Sequence, residues 1–174
     1  MGIRTPTAHR QVMVDLIRKR RIRVFAEIGV NHGYMVQDVL RSIGGEMHEY
    51  WAIDIWKKFR MSYTQEKWDL MYEKVCKSMC YFPILRVVRM DSTEVTKLFR
   101  DEYFDGVFLD TTHTYENTKR EILAWLPKIK KGGLFAGHDY GSTRKAHSGC
   151  KIAVDEILPG AKVYPCMVYT WEVK

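Results

Sequence analysis

The sequence predicts an α/β fold: a doubly wound, mostly parallel sheet of seven strands, with helices on both faces and an antiparallel closing strand. Three observations carry this. Short β-branched or aromatic runs alternate with segments whose apolar residues recur at three and four, the pattern of strands joined by crossover helices. Polar and acidic residues end run after run: Asp54, Asp91, Asp110, then His138-Asp139. In a parallel sheet those ends share one edge, and ligands bind in the crevice beyond it. Finally, too few residues separate the last two runs for a crossover helix, so they are expected as antiparallel neighbours.

Taken in order, residues 7–18 carry Val12, Val14, Leu16 and Ile17 in a helical setting that Pro6 and Thr7 would start. Residues 22–28 are β-branched and aromatic, bounded by Gly29, and read as the first strand. Residues 34–43 resume helical spacing and stop at Gly44-Gly45. Residues 50–53 form the second strand. A long helix is expected over 56–82, where Trp68, Met71, Tyr72, Val75 and Met79 fall at three and four, closed by Pro83. Strand three is expected over 85–90, a short helix over 92–99, strand four over 107–110, and strand five over 133–137. An amphipathic helix lies between the last two. Residues 141–149 read as a polar loop and 150–158 as a helix stopped by Pro159-Gly160. Residues 163–166 and 168–173 read as the closing pair.

The chain of 174 residues fits one domain, 1–174, made of a basic N-terminal helix (1–21) and a core (22–174). With 46% hydrophobic and 28% charged residues it is neither disordered nor membrane-spanning. The N-terminus lacks the pattern of a secretory signal. The four cysteines, Cys76, Cys80, Cys150 and Cys166, suggest buried thiols rather than a disulfide framework, so a cytoplasmic setting is expected. The net charge is +7, yet residues 1–23 hold seven Lys/Arg against Asp15 alone. Basic side chains on the solvated face and last turn of a helix account for this excess. Positive charge spread around a cleft, the mark of a nucleic-acid enzyme, is not the pattern.

The stretch Phe104–Tyr140 organises the rest. Two apolar strands joined by one helix run into Asp110, Thr111, Thr112 and His113, and into His138 and Asp139. Two carboxylates and two imidazoles thus converge on one cleft. Upstream, Glu27-Ile28-Gly29-Val30-Asn31-His32-Gly33 turns from the first strand into a helix, whose free N–H groups and glycines allow close approach of a ligand. The G-x-G-x-x-G triple of a dinucleotide cradle is absent, which argues against a nicotinamide dehydrogenase.

The pattern E-x-G-x-x-x-G resembles motif I of class I S-adenosylmethionine-dependent methyltransferases. Phe104–Asp110, His113, Tyr115, Glu116, Lys131-Gly132-Gly133-Leu134 and Gly137–Tyr140 resemble the small-molecule O-methyltransferase branch that includes macrocin O-methyltransferase. The resemblance covers about residues 22–158. It implies a Rossmann-like methyltransferase fold and S-adenosyl-L-methionine held by Glu27, Gly29, Asn31, Gly33, Asp54, Ile55, Asp91, Ser92 and Asp110. Asp54 would take both ribose hydroxyls, since a carboxylate accepts two hydrogen bonds at once, and Asp91-Ser92 would lie beside the adenine. Asp91 is equally well placed as a helix N-cap.

The same resemblance implies a divalent cation, Mg²⁺, Mn²⁺ or similar, on Asp110, His138 and Asp139. His138 departs from the usual acid there, and imidazole suits Mn²⁺, Fe²⁺ or Zn²⁺ better than Mg²⁺. His113, three residues beyond Asp110, stands where relatives have a general base; the other reading is a packed or capping side chain. The catalytic pair is then His113 and Asp110. Acceptor contacts are expected from Trp56, Phe59, Tyr63 and Trp68 and from the loop 140–147. The partner implied is a small-molecule hydroxyl acceptor, without nucleic acid or membrane, and self-association into a homo-oligomer is left open. Two rivals stand: a nucleic-acid or protein methyltransferase that uses the basic segment, and a cofactor-binding module without catalysis. The N/D-P-P-Y tetrapeptide of amino methyltransferases is absent, which counts against base N-methylation.

Overall fold

The computed structural model describes residues 7–58, 63–144 and 148–174. The elements run α1 (Ala8–Lys19), β1 (Val24–Ile28), α2 (Tyr34–Ile43), β2 (Glu49–Asp54), α3 (Gln65–Lys77), β3 (Leu85–Arg89), β4 (Phe104–Leu109) and α4 (Tyr115–Trp125). They continue with β5 (Ile129–Gly137), α5 (Ser148–Ile157), β6 (Lys162–Val163) and β7 (Tyr169–Glu172). The strands form one sheet in the order β3-β2-β1-β4-β5-β7-β6. The first five are parallel, while β7 runs antiparallel to both β5 and β6. Strand order reverses between β1 and β4, and a crevice opens where the chain leaves them in opposite directions.

Alternation along each strand divides the core into two layers. Phe25 of β1 and Tyr50 of β2 pack with Met13 and Ile17 of α1, Val36 and Val39 of α2, and Val75 of α3. On the other face Ala26 and Ile28 meet Ile122 and Trp125 of α4 and Val154 of α5. The apolar residues of α1 therefore belong to the main core. The helix keeps Arg18 and Lys19 in its last turn, where cations favour its dipole. Arg10 departs from the solvated-face expectation: it is buried and holds Asp38 at 2.5 Å.

Several boundaries differ from the sequence reading, and β4 itself begins at Phe104, three residues ahead of Val107. The helix expected over 56–82 begins only at Gln65, capped by Thr64 Oγ1 accepting from the Lys67 N–H at 3.4 Å. Trp56 takes a left-handed conformation, buries its ring and donates from Nε1 to Asn31 O at 3.0 Å, so the chain pivots rather than coils there. The segment after β3 is a 3₁₀ helix, Glu94–Leu98, rather than an α-helix. Strand β5 starts four residues early, and its pairing to β4 shifts register between Phe104 and Gly106. Gly132, at φ +75°, and Gly133, whose added Cβ would lie 2.5 Å from Ile129, let the strand bulge. Strand β6 is only two residues, because Tyr164 and Met167 form the turn that closes the hairpin. Pro6, Phe59 and His147 lie outside the described residues.

Candidate active site

The C-terminal ends of β1, β2 and β4 are tied by backbone hydrogen bonds: Gly29 N–H to Ile53 O and Asp110 N–H to Ile28 O, both 2.8 Å. This close approach requires glycine at 29, where φ is +94° and an added Cβ would stand 2.0 Å from the Asp110 carbonyl oxygen. Asn31, also left-handed, aims its N–H at Asp54 Oδ2 (2.8 Å), and Trp56 N–H donates to Oδ1 (2.8 Å). The Asp54 carboxylate is thus fixed edge-on, with acceptor capacity left on each oxygen. At the end of β3, Asp91 Oδ1 accepts from Thr93 N (2.9 Å) and Thr93 Oγ1 (2.7 Å), the capping role. These residues border a cavity of about 460 Å³ whose wall includes Gly29, Asn31, Asp54, Ile55, Asp91 and Ser92. Asp110 and Trp68 also line it. Glu27 and Gly33 do not. Glu27 points to the α1–α2 side, is 3% exposed and accepts from Tyr50 Oη at 2.5 Å. Gly33 opens α2 at φ +72° against Val75.

Beside the cavity, β4 and β5 end in a compact cluster. His113 Nε2 lies 2.9 Å from Asp139 Oδ2 and 3.4 Å from Asp110 Oδ1. His138 Nδ1 lies 3.3 Å from Asp139 and 3.8 Å from Asp110. Asp110, His113 and Asp139 offer ligand atoms within 4.8 Å of one another. Asp110 belongs to both cavity wall and cluster, so the two are continuous.

Residues 26–140 match the model of a family described as a methyltransferase domain. The chain belongs to that family. Its fold is shared by the S-adenosylhomocysteine-bound methyltransferase PaMTH1 of Podospora anserina, at 15% identity and a TM-score of 0.70, covering 98% of this chain and 80% of that one. It is shared also by CalS11, a TDP-rhamnose 3′-O-methyltransferase of calicheamicin biosynthesis (15% identity, TM-score 0.62, 95% and 81% covered). A third is an S-adenosylmethionine-dependent O-methyltransferase of Thermotoga maritima (15% identity, TM-score 0.62, 94% and 55% covered). Comparison with curated proteins finds no match. The protein is a methyltransferase, and its class I, Rossmann-like fold is the one shared by these enzymes of S-adenosylmethionine. Among its described residues no helix is long and apolar enough to cross a membrane.

The residues of the methyltransferase cavity suit that cofactor. Gly29 lets the ends of β1 and β4 close together beneath the cavity, where a Cβ would strike the Asp110 backbone, and Asp54 presents two fixed acceptors to a diol. The Trp68 ring lines the wall, with its Nε1 buried behind the surface and without a hydrogen-bond partner among the described residues. Burial raises the Asp54 pKa, and the Trp56 and Asn31 N–H groups oppose the shift.

One residue of this wall escaped the sequence reading. Glu121, only 1% exposed, accepts from Ser92 Oγ and from Thr111 Oγ1 (2.6 Å), joining β3, β4 and α4 across the cavity. Its signal was present: Thr118, Glu121, Ile122 and Trp125 form one buried helical stripe, and a carboxylate on such a stripe has a partner or a ligand.

Electrostatics at the methyltransferase cluster run against a free base. Burial draws the His113 imidazole down, but hydrogen bonds to Asp110, Asp139 and Cys150 outweigh it and raise the pKa to about 11. Burial alone would lift Asp139; His113 and His138 instead hold it well below the ordinary carboxylate range. His138 is raised as well, its burial outweighed by Asp139 and Asp110. The His9 ring of α1 packs at a tilt of 43° against His138, ring centroids 4.6 Å apart, bringing the first helix to the rim. Of the expected acceptor contacts, Trp68 lines the cavity, while two are engaged elsewhere. Trp56 is core, and Tyr140 Oη donates to Asp155 on α5 at 2.7 Å.

Proposed function

We propose that this methyltransferase transfers a methyl group to the hydroxyl oxygen of a small molecule, assisted by a divalent cation on Asp110, His113 and Asp139. The observation that carries the reading is the continuity of the two sites: Asp110 lines the cofactor cavity and is also a corner of the Asp–His–Asp cluster. His138, expected as a ligand, lies farther from both carboxylates than His113 does, which supports His113 in the ligand set and His138 beside it.

Gly29, Asn31, Asp54, Ile55, Asp91, Ser92 and Asp110 hold the cofactor in this reading. Glu27 and Gly33 support the turn from behind, through Tyr50 and Val75. When bound, S-adenosylmethionine supplies a methyl on a sulfonium that leaves without acid help, and the cation supplies a Lewis acid that lowers the hydroxyl pKa. The chain's own work is alignment and charge. Asp54 anchors one end of the cavity, and Ser92, Glu121 and Thr111 brace its far wall. Asp110, fixed by its backbone bond to Ile28, sets the distance between cavity and cluster. Without the cation His113 Nε2 donates to Asp139 and positions that carboxylate; to ligate, the same nitrogen would first give up its proton, which the cation's charge favours. The hydroxyl proton passes to a cluster carboxylate or to water. The basic segment does not favour the nucleic-acid or protein rival. Arg20, Arg21 and Arg23 precede β1 at the N-terminal edge of the sheet, opposite the cavity.

The test is transfer of labelled methyl from S-adenosylmethionine to a panel of small hydroxyl compounds. Excess chelator, and separately Asp139→Asn, should abolish transfer while S-adenosylhomocysteine affinity stays within about twofold, because Asp139 is not in the cavity wall. Full transfer in chelator removes the cation from the mechanism.

A further inference from the structure

At the edge of the sheet remote from the methyl-transfer site, Arg20, Arg21 and Arg23 meet Lys130 and Lys131 around a cleft of about 470 Å³. The basic N-terminal segment therefore gains two lysines from the turn region of β5, a juxtaposition the sequence alone did not indicate. Asp105 is the one acid in the described lining, and its carboxylate is already used. It accepts from the Arg23 N–H (2.9 Å), the Val24 N–H (2.8 Å) and Lys130 Nζ (2.6 Å). Arg20 shares Glu172 at 3.0 Å on the surface. Arg21, Arg23 and Lys131 have no carboxylate partner among the described residues. Like charges so concentrated in a concavity repel one another unless an anion joins them.

A second observation concerns Arg21 itself. The end of α1 is closed by Arg21 N–H to Arg18 O (3.1 Å) and Ile22 N–H to Ile17 O (3.0 Å), the paired bonds of a Schellman cap. The residue after the cap in that motif is left-handed and usually glycine. Here it is Arg21, at φ +54°. The chain keeps a guanidinium at the cleft in a conformation that glycine would hold at lower cost. Strain retained at a charged position points to function.

We propose that this cleft binds an oligophosphate, two or more neighbouring phosphate groups carried by a small molecule. Guanidinium forks match phosphate oxygens in pairs, lysines add point charge, and the volume falls in the range of small-ligand sites. A nucleic-acid backbone would call for a stripe of charge along a face, rather than cations gathered around one concavity. The site is independent of the methyl-transfer reading.

Calorimetric titration of the whole protein with inorganic tripolyphosphate tests it, using a sulfate control matched in ionic strength. Saturable one-to-one binding is expected, weakened about tenfold or more in Arg21→Gly and in Lys131→Gln. Without ligand, Arg21→Gly should also raise the unfolding midpoint by about 2–4 °C, since it relieves the left-handed cost. Lost affinity with gained stability cannot come from misfolding. Tripolyphosphate binding no tighter than sulfate overturns the proposal, as does unchanged affinity in both variants. A single-stranded RNA that binds tightly with a steep salt dependence, and that tripolyphosphate fails to displace, overturns it in favour of a polymer backbone.

Discussion

Replacing Glu27 by glutamine should stabilise the protein at neutral pH, and the gain should follow a defined pH course. Glu27 is buried between β1 and β2, with the Tyr50 hydroxyl as its hydrogen-bond partner. Burial is the leading cause that raises its pKa from 4.5 to about 8, and the Tyr50 bond opposes the shift. Between those two values the folded state keeps a proton that the unfolded state has lost. Stability from this group is therefore complete below pH 4.5 and declines as pH rises toward 8, by about 1.4 kcal/mol per pH unit. At pH 7 the loss is about 3 kcal/mol. Glutamine cannot ionise and retains an acceptor for Tyr50. The difference in unfolding free energy, Glu27→Gln minus wild type, should rise from near zero at pH 4.5 to about 3 kcal/mol at pH 7 and level off above pH 8. Urea denaturation of both proteins across that range measures it, and subtraction removes every other titration. A difference that stays flat from pH 5 to 8 would refute the argument, for it would mean that Glu27 is ionised in the fold.

Trp68→Phe keeps the ring of the cavity wall and removes its unpartnered N–H. That N–H is shut off from the cavity, so S-adenosylhomocysteine affinity should stay within about twofold while the unfolding midpoint holds or rises as an unsatisfied donor is lost; calorimetry that finds a loss of affinity of about tenfold would mean that the indole turns its N–H to the ligand. His113→Ala separates ligand from base. As a ligand, its loss should weaken cation binding, measured by equilibrium dialysis, and raising the pH should not restore turnover. Recovery of turnover at high pH with cation still bound would instead return His113 to the role of general base.

Much of the fold could be read from local pattern. Strand runs with period two, helices with period 3.6 and acids at strand ends all act within a few residues, so Asp54, Asp91, Asp110 and Asp139 were each placed at the correct edge. What was not legible depends on contacts made across the sheet. The late start of α3 follows from Trp56 reaching back to Asn31, which apolar spacing cannot reveal. Glu27 fits the E-x-G-x-x-x-G pattern, yet strand alternation turns it away from the cavity and toward Tyr50. The resemblance implies a base at His113, three residues beyond Asp110, but its further partner Asp139, 2.9 Å from Nε2, arrives from another strand and is not visible from that spacing. Arg21 and Lys131 meet for the same reason: β1 and β5 share the sheet through β4, and sequence distance hides it.

The central claim is cofactor binding at the edge formed by Gly29, Asp54 and Asp91. Titration of wild type and Asp54→Ala with S-adenosylhomocysteine tests it most directly. A saturable one-to-one heat is predicted for the wild type, with affinity about ten- to a hundredfold weaker once the carboxylate is gone. No heat from the wild type at high protein and ligand concentration, or equal affinity in both proteins, would contradict it.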